Sequence, residues 1–410
     1  MDKDFISAST WSAEEIKSVL MEKIEEENSK IFNPEDDKEV IDSVKPVKGM
    51  FNVVSLFSGA GGLDLGLELS GIDAVNGSNY TDKILKSKKL YNEHRNQGLF
   101  NFIYSNDMFK EANETYLNNF PETVVKHAKD IRQVSSFPDC QIMVGGFPCP
   151  GFSAAGPRLV DDPRNFLYVH FIRALIETQP EFFVAENVKG IMTLAKGEVF
   201  RQVVEDFSSA GYEMKAYLVN SRDYGVPQLR ERVILVGTHL KKVKEKYDWS
   251  YELPKATHGM DGTHIPYVTL EEAIGDLPEK PDDVFEGSFS SMYMSRNRKK
   301  RWDEQSYTIQ ASGRQAPLWP GGMPMNKINK DQWEFRGEVN RRLSVREAAR
   351  IQTFPDWFKF SDGGNMKAQK SHRLNQQYKQ IGNAVPVKMA RSILAPIAEF
   401  LNEHPELAQR

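Results

Sequence analysis

Short apolar runs alternate with amphipathic stretches through the first 240 residues of the chain. Phe51-Asn52-Val53-Val54-Ser55-Leu56-Phe57, Ile72-Asp73-Ala74-Val75, Gln141-Ile142-Met143-Val144, Glu181-Phe182-Phe183-Val184-Ala185, Tyr217-Leu218-Val219 and Arg232-Val233-Ile234-Leu235-Val236-Gly237 read as strands, and Asp130-Ile131 closes one more strand-like segment. Continuous apolar runs of this length suit strands covered on both faces. Between them, residues 81–94, 164–178 and 197–209 read as helices. The alternation predicts an α/β fold built on a doubly wound, mixed but mostly parallel sheet. Ligands of such sheets bind at the carboxyl ends of strands, where Phe57, Asp130, Cys149 and Glu186 fall.

The flanks behave differently. In residues 1–50, Ser12-Ala13-Glu14-Glu15 fits a capping box, and Ile16, Val19, Leu20, Ile24 and Ile31 recur at roughly helical spacing. Asn33-Pro34-Glu35-Asp36-Asp37 ends that helix, so the segment reads as an amphipathic helix plus a linker. From about 240 to 340 the rhythm breaks, and aromatic residues interleave with basic ones, including Arg296-Asn297-Arg298-Lys299-Lys300-Arg301 beside Trp302. That composition suits a nucleic-acid surface and equally a solvated loop region. Helical order returns at Ser344-Val345-Arg346-Glu347 and after Pro386, to about residue 403.

Composition narrows the class. At 410 residues the chain can bury a substantial core and divide in two. No apolar run reaches the roughly 18 residues that cross a membrane, and the N-terminus lacks the pattern of a secretory signal. The two cysteines, Cys140 and Cys149, make neither a disulfide framework nor a metal site, so a reducing cytoplasm is expected and no metal. Net charge is −4, but residues 1–50 alone carry −6, leaving the remainder slightly basic.

Two loops carry candidate chemistry. Ser58-Gly59-Ala60-Gly61-Gly62 follows a strand and opens a helix, the geometry that brings backbone N–H groups close to a nucleotide-like ligand. Its spacing is not the G-x-G-x-x-G of a dinucleotide site. Cys149 stands between Pro148 and Pro150, which fix the backbone on both sides of it, with glycines nearby. Locally, this is the setting either of a structural cysteine or of a thiol presented to a ligand.

In order along the chain, Phe57-Ser58-Gly59-Ala60-Gly61-Gly62, Pro148-Cys149, Glu186-Asn187-Val188, Gln228-Leu229-Arg230-Glu231-Arg232, the run Arg341 to Pro355 and Gln380-Ile381-Gly382-Asn383-Ala384-Val385-Pro386 resemble the motifs of DNA (cytosine-5) methyltransferases of the bacterial restriction–modification type. The resemblance spans about residues 51–400. It implies a methyltransferase fold at 51–240, completed by 380–403, with a smaller irregular target-recognition domain at 241–379 and an N-terminal extension at 1–50. The implied cofactor is S-adenosylmethionine, leaving as S-adenosylhomocysteine, and the implied substrate is a cytosine flipped out of duplex DNA.

Carried over position by position, the resemblance makes Cys149 the nucleophile at C6, Glu186 the partner of N3, Arg232 the contact to the cytosine O2, and Arg230 a support of the same pocket. A thiolate added to C6 breaks the aromaticity of the ring and turns C5 into a nucleophile. Phe57, Gly59, Ala60, Gly61, Gly62, Asp130, Ile131, Pro148, Leu167 and Asn383 line the implied cofactor pocket. The acidic residue that the family carries at the end of its second strand has no counterpart when Asp82-Lys83 is aligned, which puts Tyr80 and Thr81 at that position and the next. Ser153, Arg164, Gln228, Arg296, Arg298, Arg301, Thr308 and Arg314 are the expected DNA contacts, with Lys299 and Lys300 beside them, and the loop from Gly151 to Arg164 resembles a mobile lid. The expected protein acts as a monomer, in genetic partnership with a restriction endonuclease. Alternatives are a tRNA cytosine-5 methyltransferase of the same fold and a catalytically inactive DNA-binding homologue.

Overall fold

The computed structural model describes residues 12–148 and 167–409. Its centre is a sheet of strands β1 (Phe51–Leu56), β2 (Phe100–Asn106), β3 (Val125–His127), β4 (Ile142–Gly145), β5 (Phe182–Val188), β6 (Tyr212–Asn220) and, after the two-residue β7 (Gln228–Leu229), β8 (Glu231–His239). The order is β3-β2-β1-β4-β5-β8-β6, with β8 antiparallel to both neighbours and the other pairs parallel.

Side-chain alternation explains the unbroken apolar runs. Val53, Ile142, Val144, Phe182, Val184, Ile234 and Val236 pack on one face, with the helices Gly62–Asn76 and Val387–Glu403. Their neighbours Val54, Met143, Phe183, Ala185, Val233 and Leu235 pack on the other, with the helices Leu167–Thr178 and Glu198–Ser209. Leu20 and Ile24 of the N-terminal helix Ala13–Asn28 join that second face. The capping box at Ser12 and Glu15 forms as its spacing predicts, and the expected linker folds into a second helix, Asp36–Asp42.

One strand was misplaced. Ile72-Asp73-Ala74-Val75 continues the helix Gly62–Asn76, because Leu65, Leu69 and Ile72 extend one buried stripe at helical spacing. The second strand is instead Phe100–Asn106, whose aromatic and β-branched residues are buried on both faces and so show no alternation. Residues 81–94 divide into the helices Tyr80–Ile84 and Lys88–His94.

Beyond residue 240, regular structure is sparse, as the sequence suggests. Strand β9 (Ser306–Tyr307) pairs with β7, and β10 (Asn326–Asn329) forms a hairpin with β11 (Gln332–Glu334). Tyr293, Leu318 and Met325 make a small separate core. The Arg342 guanidinium lies over the rings of Phe289 and Tyr293 and donates to the carbonyls of Arg314, Gly287 and Ser288. The helix Lys370–Asn383 then leads back to the sheet. Among the described residues, no helix is long and apolar enough to cross a membrane, and no cluster of His, Cys, Asp and Glu is arranged to hold a metal.

The helix Val387–Glu403 lies directly against Gly62–Asn76, and Gly66 is the contact that allows it. A Cβ there would stand 2.2 Å from the Ala390 Cβ and 2.8 Å from the Arg391 backbone nitrogen. Backbone on the far side cannot yield, so Gly66→Ala should lower stability by roughly 1–3 kcal/mol despite alanine's better helix propensity. A urea midpoint equal to or above that of the parent protein would contradict this packing.

Candidate active site

The carboxyl ends of β1, β2, β4 and β5 converge on one edge of the sheet. At the end of β1 the chain turns sharply, with positive φ at Phe57 (52°), Gly59 (54°) and Gly61 (80°). For a phenylalanine that conformation is strained, and strain of this kind persists where the surroundings enforce it. Here the Ser58 N–H donates to the Asn106 carbonyl at 3.0 Å, and the Gly59 N–H donates to the Asp107 carboxylate at 2.9 Å. A Cβ on Gly61 would strike the Phe120 ring, and one on Gly62 would come within 2.4 Å of the Val385 carbonyl oxygen. That close approach brings Asn383, exposed at the end of its helix, to the glycine turn.

Asp107 is the acidic residue at the end of the second strand, and bulky Met108 follows it. Its carboxylate also accepts the Phe109 N–H at 2.8 Å. Burial pushes its pKa above the usual carboxylate range, with the backbone N–H bonds pulling in the opposite sense. Tyr80, expected at this position, lies elsewhere. It starts a helix beyond the far end of Gly62–Asn76, whose 15 residues put it about 20 Å from the glycine turn. Its hydroxyl pairs with His94 Nδ1 at 2.9 Å, while Thr81 and Asp82 bind Asp73 and Arg391 as struts to the C-terminal helix. The error follows from the misplaced strand. Its corrective signal was an acidic residue plus a bulky apolar one directly after the aromatic run Phe100–Tyr104.

Asp130 caps the short turn Ile131–Gln133 after β3. Burial raises its pKa, but the guanidinium and N–H of Arg132 outweigh that and leave it below the usual range. Ile131 is buried beneath. Leu167 is half-buried against the second-face core, and Pro148 is exposed.

Glu186 lies near the end of β5 and is 8% exposed. Its Oε1 meets Arg232 Nε at 2.7 Å. The contact is an ion pair without the alignment of a hydrogen bond, so among the described residues no N–H is aimed along the lone pair of this buried oxygen. Antiparallel register places the two together, since Val188 faces Arg232 and Glu186 faces Ile234, making Arg232 and Glu186 diagonal neighbours on one face. Gly146 leaves room above the carboxylate, with its missing Cβ 3.4 Å from Oε2. The Asn187 amide donates to the Phe147 carbonyl at 3.0 Å. The chain entering Cys149 is therefore fastened beside Glu186. Cys149, Ser153 and Arg164, with the loop joining them, lie outside the described residues.

Arg230 is a buried support, and Gln228 has different work from that expected. Arg230, 1% exposed, donates to the carbonyls of Gly382 (2.8 Å), Ala384 (3.0 Å) and Ile309 (3.3 Å), and burial pushes its pKa down to about 9. It joins three chain segments from below the pocket rather than facing it. Gln228 is wholly buried, donating to Gln352 Oε1 and accepting the Ile309 N–H, both at 2.8 Å, so it is not a DNA contact. The Thr308 hydroxyl likewise donates to the Leu229 carbonyl. Gln352 completes the knot with bonds to the Ile381 and Ala384 carbonyls. Its presence could be foreseen only as part of the Arg341–Pro355 motif.

The basic run is also largely engaged. Arg298 stacks on Tyr293 and donates to its carbonyl, Lys299 is buried on the Met323 carbonyl, Lys300 pairs with Glu304, and Arg301 with Asp303. Arg296 and Arg314 are exposed, and among the described residues no side-chain partner of either is seen.

A seven-stranded sheet with one antiparallel strand, a glycine turn after β1 and a carboxylate–arginine pair near Phe147 are consistent with a methyltransferase of the cytosine-modifying class. The chain matches the family model "C-5 cytosine-specific DNA methylase" over residues 51–399 and belongs to that family. It is 59% identical to the Type II methyltransferase M.BsuRI of Bacillus subtilis, over 96% of this chain and 89% of that protein. It is 56% identical to M.BspRI of Lysinibacillus sphaericus, over 98% and 93% respectively. Among solved structures, the Dnmt2 methyltransferase of S. pombe shares the fold with a TM-score of 0.56 at 16% identity, covering 86% of this chain and 99% of that one.

Removing the Gln228 amide strands the Ile309 N–H and the Gln352 carbonyl in the interior. Gln228→Ala should therefore cost roughly 2–4 kcal/mol of stability. Unchanged unfolding with weakened DNA binding would instead restore Gln228 as a DNA contact.

Proposed function

We propose that this protein transfers a methyl group from S-adenosylmethionine to C5 of a cytosine flipped out of a specific duplex DNA sequence, through a covalent bond between Cys149 and C6. The observation that carries the proposal is the buried Glu186–Arg232 pair beside the chain that leads into Cys149. A flipped cytosine reaching Cys149 would lie over these two groups. Glu186 offers a carboxylate oxygen without an aligned donor, suited to N3 and the exocyclic amine. Arg232 offers positive charge where O2 gains electron density.

In the proposed sequence the Cys149 thiolate would add to C6, and the electron pair released at C5 would form the bond to the methyl carbon as the bond from that carbon to the sulfonium sulfur breaks and S-adenosylhomocysteine leaves. A base then removes the C5 proton, and the pair from that C–H bond re-forms the C5–C6 double bond as the thiolate leaves.

The residues at the sheet edge fit S-adenosylmethionine. Asp107 and Asp130 put carboxylate acceptors at neighbouring strand ends, suited to ribose hydroxyls and an adenine amino group, and Phe57 follows the next strand, β1, with a ring face for the adenine. Gly59, with nothing within 4 Å of its missing Cβ, leaves open space for the methionine portion. Bound there, the cofactor supplies an electrophilic methyl.

Arg296 and Arg314 are the proposed contacts to phosphate or guanine from the irregular region, which would act as the target-recognition domain, opposite the catalytic unit. Two Type II methyltransferases similar over nearly the whole chain support a protective role beside a restriction endonuclease.

Duplex DNA carrying 5-fluorocytosine at the target should trap a denaturation-resistant protein–DNA adduct in the presence of cofactor, since fluorine at C5 cannot leave as a proton does. Cys149→Ala should abolish it, and an adduct that survived this substitution would overturn the mechanism. Asp107→Ala should weaken S-adenosylhomocysteine binding about tenfold or more, with Tyr80→Phe leaving it unchanged. Calorimetry giving the reverse order would return Tyr80 to the pocket.

A further inference from the structure

The site as described leaves residues 12–50 without a task, yet part of this segment is built tightly into the sheet edge that carries Asp130. That edge is intrinsically weak. Strand β3 is the outermost of the sheet and only three residues long, and the segment after it has no further strand to lean on. Residues 28–37 supply the missing support. Asp37, 1% exposed, receives Lys129 Nζ at 2.6 Å and His127 Nε2 at 3.2 Å from before Asp130, and the Ser135 N–H at 2.6 Å from after it. One buried carboxylate thus holds both ends of the turn.

The neighbouring contacts repeat the arrangement. The Ser135 hydroxyl donates to the Pro34 carbonyl, the Phe32 N–H donates to Gln133 Oε1, and Gln133 Nε2 donates to the Lys30 carbonyl. From the inner side, Arg173 spans from Asn28 Oδ1 to the carbonyls of Ile131 and Val134. The 127–135 segment is therefore gripped at its start, middle and end by a stretch that lies outside the family match, which begins at residue 51.

We propose that residues 28–37 form the outer wall of the cofactor site, with Asp37 a positioning residue that holds the turn and, through it, the Asp130 carboxylate in place for the adenine amino group. The extension is then a working part of the enzyme rather than an appendage. This rests on the reading of Asp130 as the adenine contact. A displaced carboxylate lowers affinity for the cofactor without touching the reacting atoms, so the effect belongs to binding and not to turnover.

The test is calorimetric titration of S-adenosylhomocysteine into the full chain and its variants, at a temperature where thermal melts show each folded. Asp37→Asn should raise the dissociation constant about tenfold, and Gln133→Ala, a milder change at a half-buried position that leaves no buried charge unpaired, about threefold. The kcat at saturating cofactor should stay within about twofold of the parent, and Asp130→Ala should weaken binding at least as much as Asp37→Asn. Binding within twofold of the parent in both Asp37→Asn and Gln133→Ala, with Asp130→Ala weakened, would overturn the clamp while leaving the pocket intact. If Asp37→Asn does not fold, Gln133→Ala decides alone. Unchanged binding in Asp130→Ala would remove the adenine from this turn and the proposal with it, and a fall in kcat matching any loss of affinity would mark general destabilisation instead.

Discussion

The diagonal contact between Glu186 and Arg232 is the constraint around which the sheet edge is arranged. Two opposite charges in a partly buried setting lose much of their hydration, and a well-packed apolar pair would serve stability as well. The contact depends on β8 running antiparallel to β5, since only that register sets Arg232 diagonally across from Glu186. Gly146 leaves space above it, and Asn187 ties the Phe147 carbonyl beside it. Among the described residues one oxygen of this carboxylate lacks an aligned donor, which fits the substrate-binding role proposed for the pair.

A second knot keeps this edge aligned with the rest of the molecule. Arg230, Gln228 and Gln352 are polar, buried and joined to carbonyls and amides of the Ile309 and Gly382–Ala384 segments. Gly382 is essential to that closeness, since a Cβ there would fall 2.4 Å from the backbone of Gln310 and Ala311. Arg230, which lies between β7 and β8, links the segments of Ile309 and Gly382–Ala384, while Arg232 within β8 meets Glu186. Apart from Arg230 Nε, the buried polar atoms of these three side chains are paired, and buried networks of this kind specify one arrangement of parts.

Much of this was legible in the chain. Continuous apolar runs announced strands covered on both faces, and Phe57–Gly62, Glu186 and Arg232 stand where strand ends were expected. The failures have physical causes. A four-residue apolar run has the same appearance in a helix and in a strand, so Ile72–Val75 reads as a strand and folds as helix, and the strand-end position aligned with Tyr80 is occupied by Asp107. Gln228 and Thr308 fell within or beside conserved-looking motifs, but their partners are 81 and 79 residues away in sequence, beyond any local pattern. The same holds for Asp37, whose carboxylate meets residues 92 and 98 positions further on. Charge runs show only where basic residues lie, and neighbouring carboxylates, carbonyls and rings engage four of the six basic side chains considered.

The most direct measurement is mass spectrometry of the nucleosides released from duplex DNA after incubation with the purified protein and methyl-labelled S-adenosylmethionine. The account predicts labelled 5-methyl-2′-deoxycytidine as the product, absent with Cys149→Ala. Label on the exocyclic nitrogen of cytosine or on adenine, or label found in tRNA and not in DNA, would contradict it.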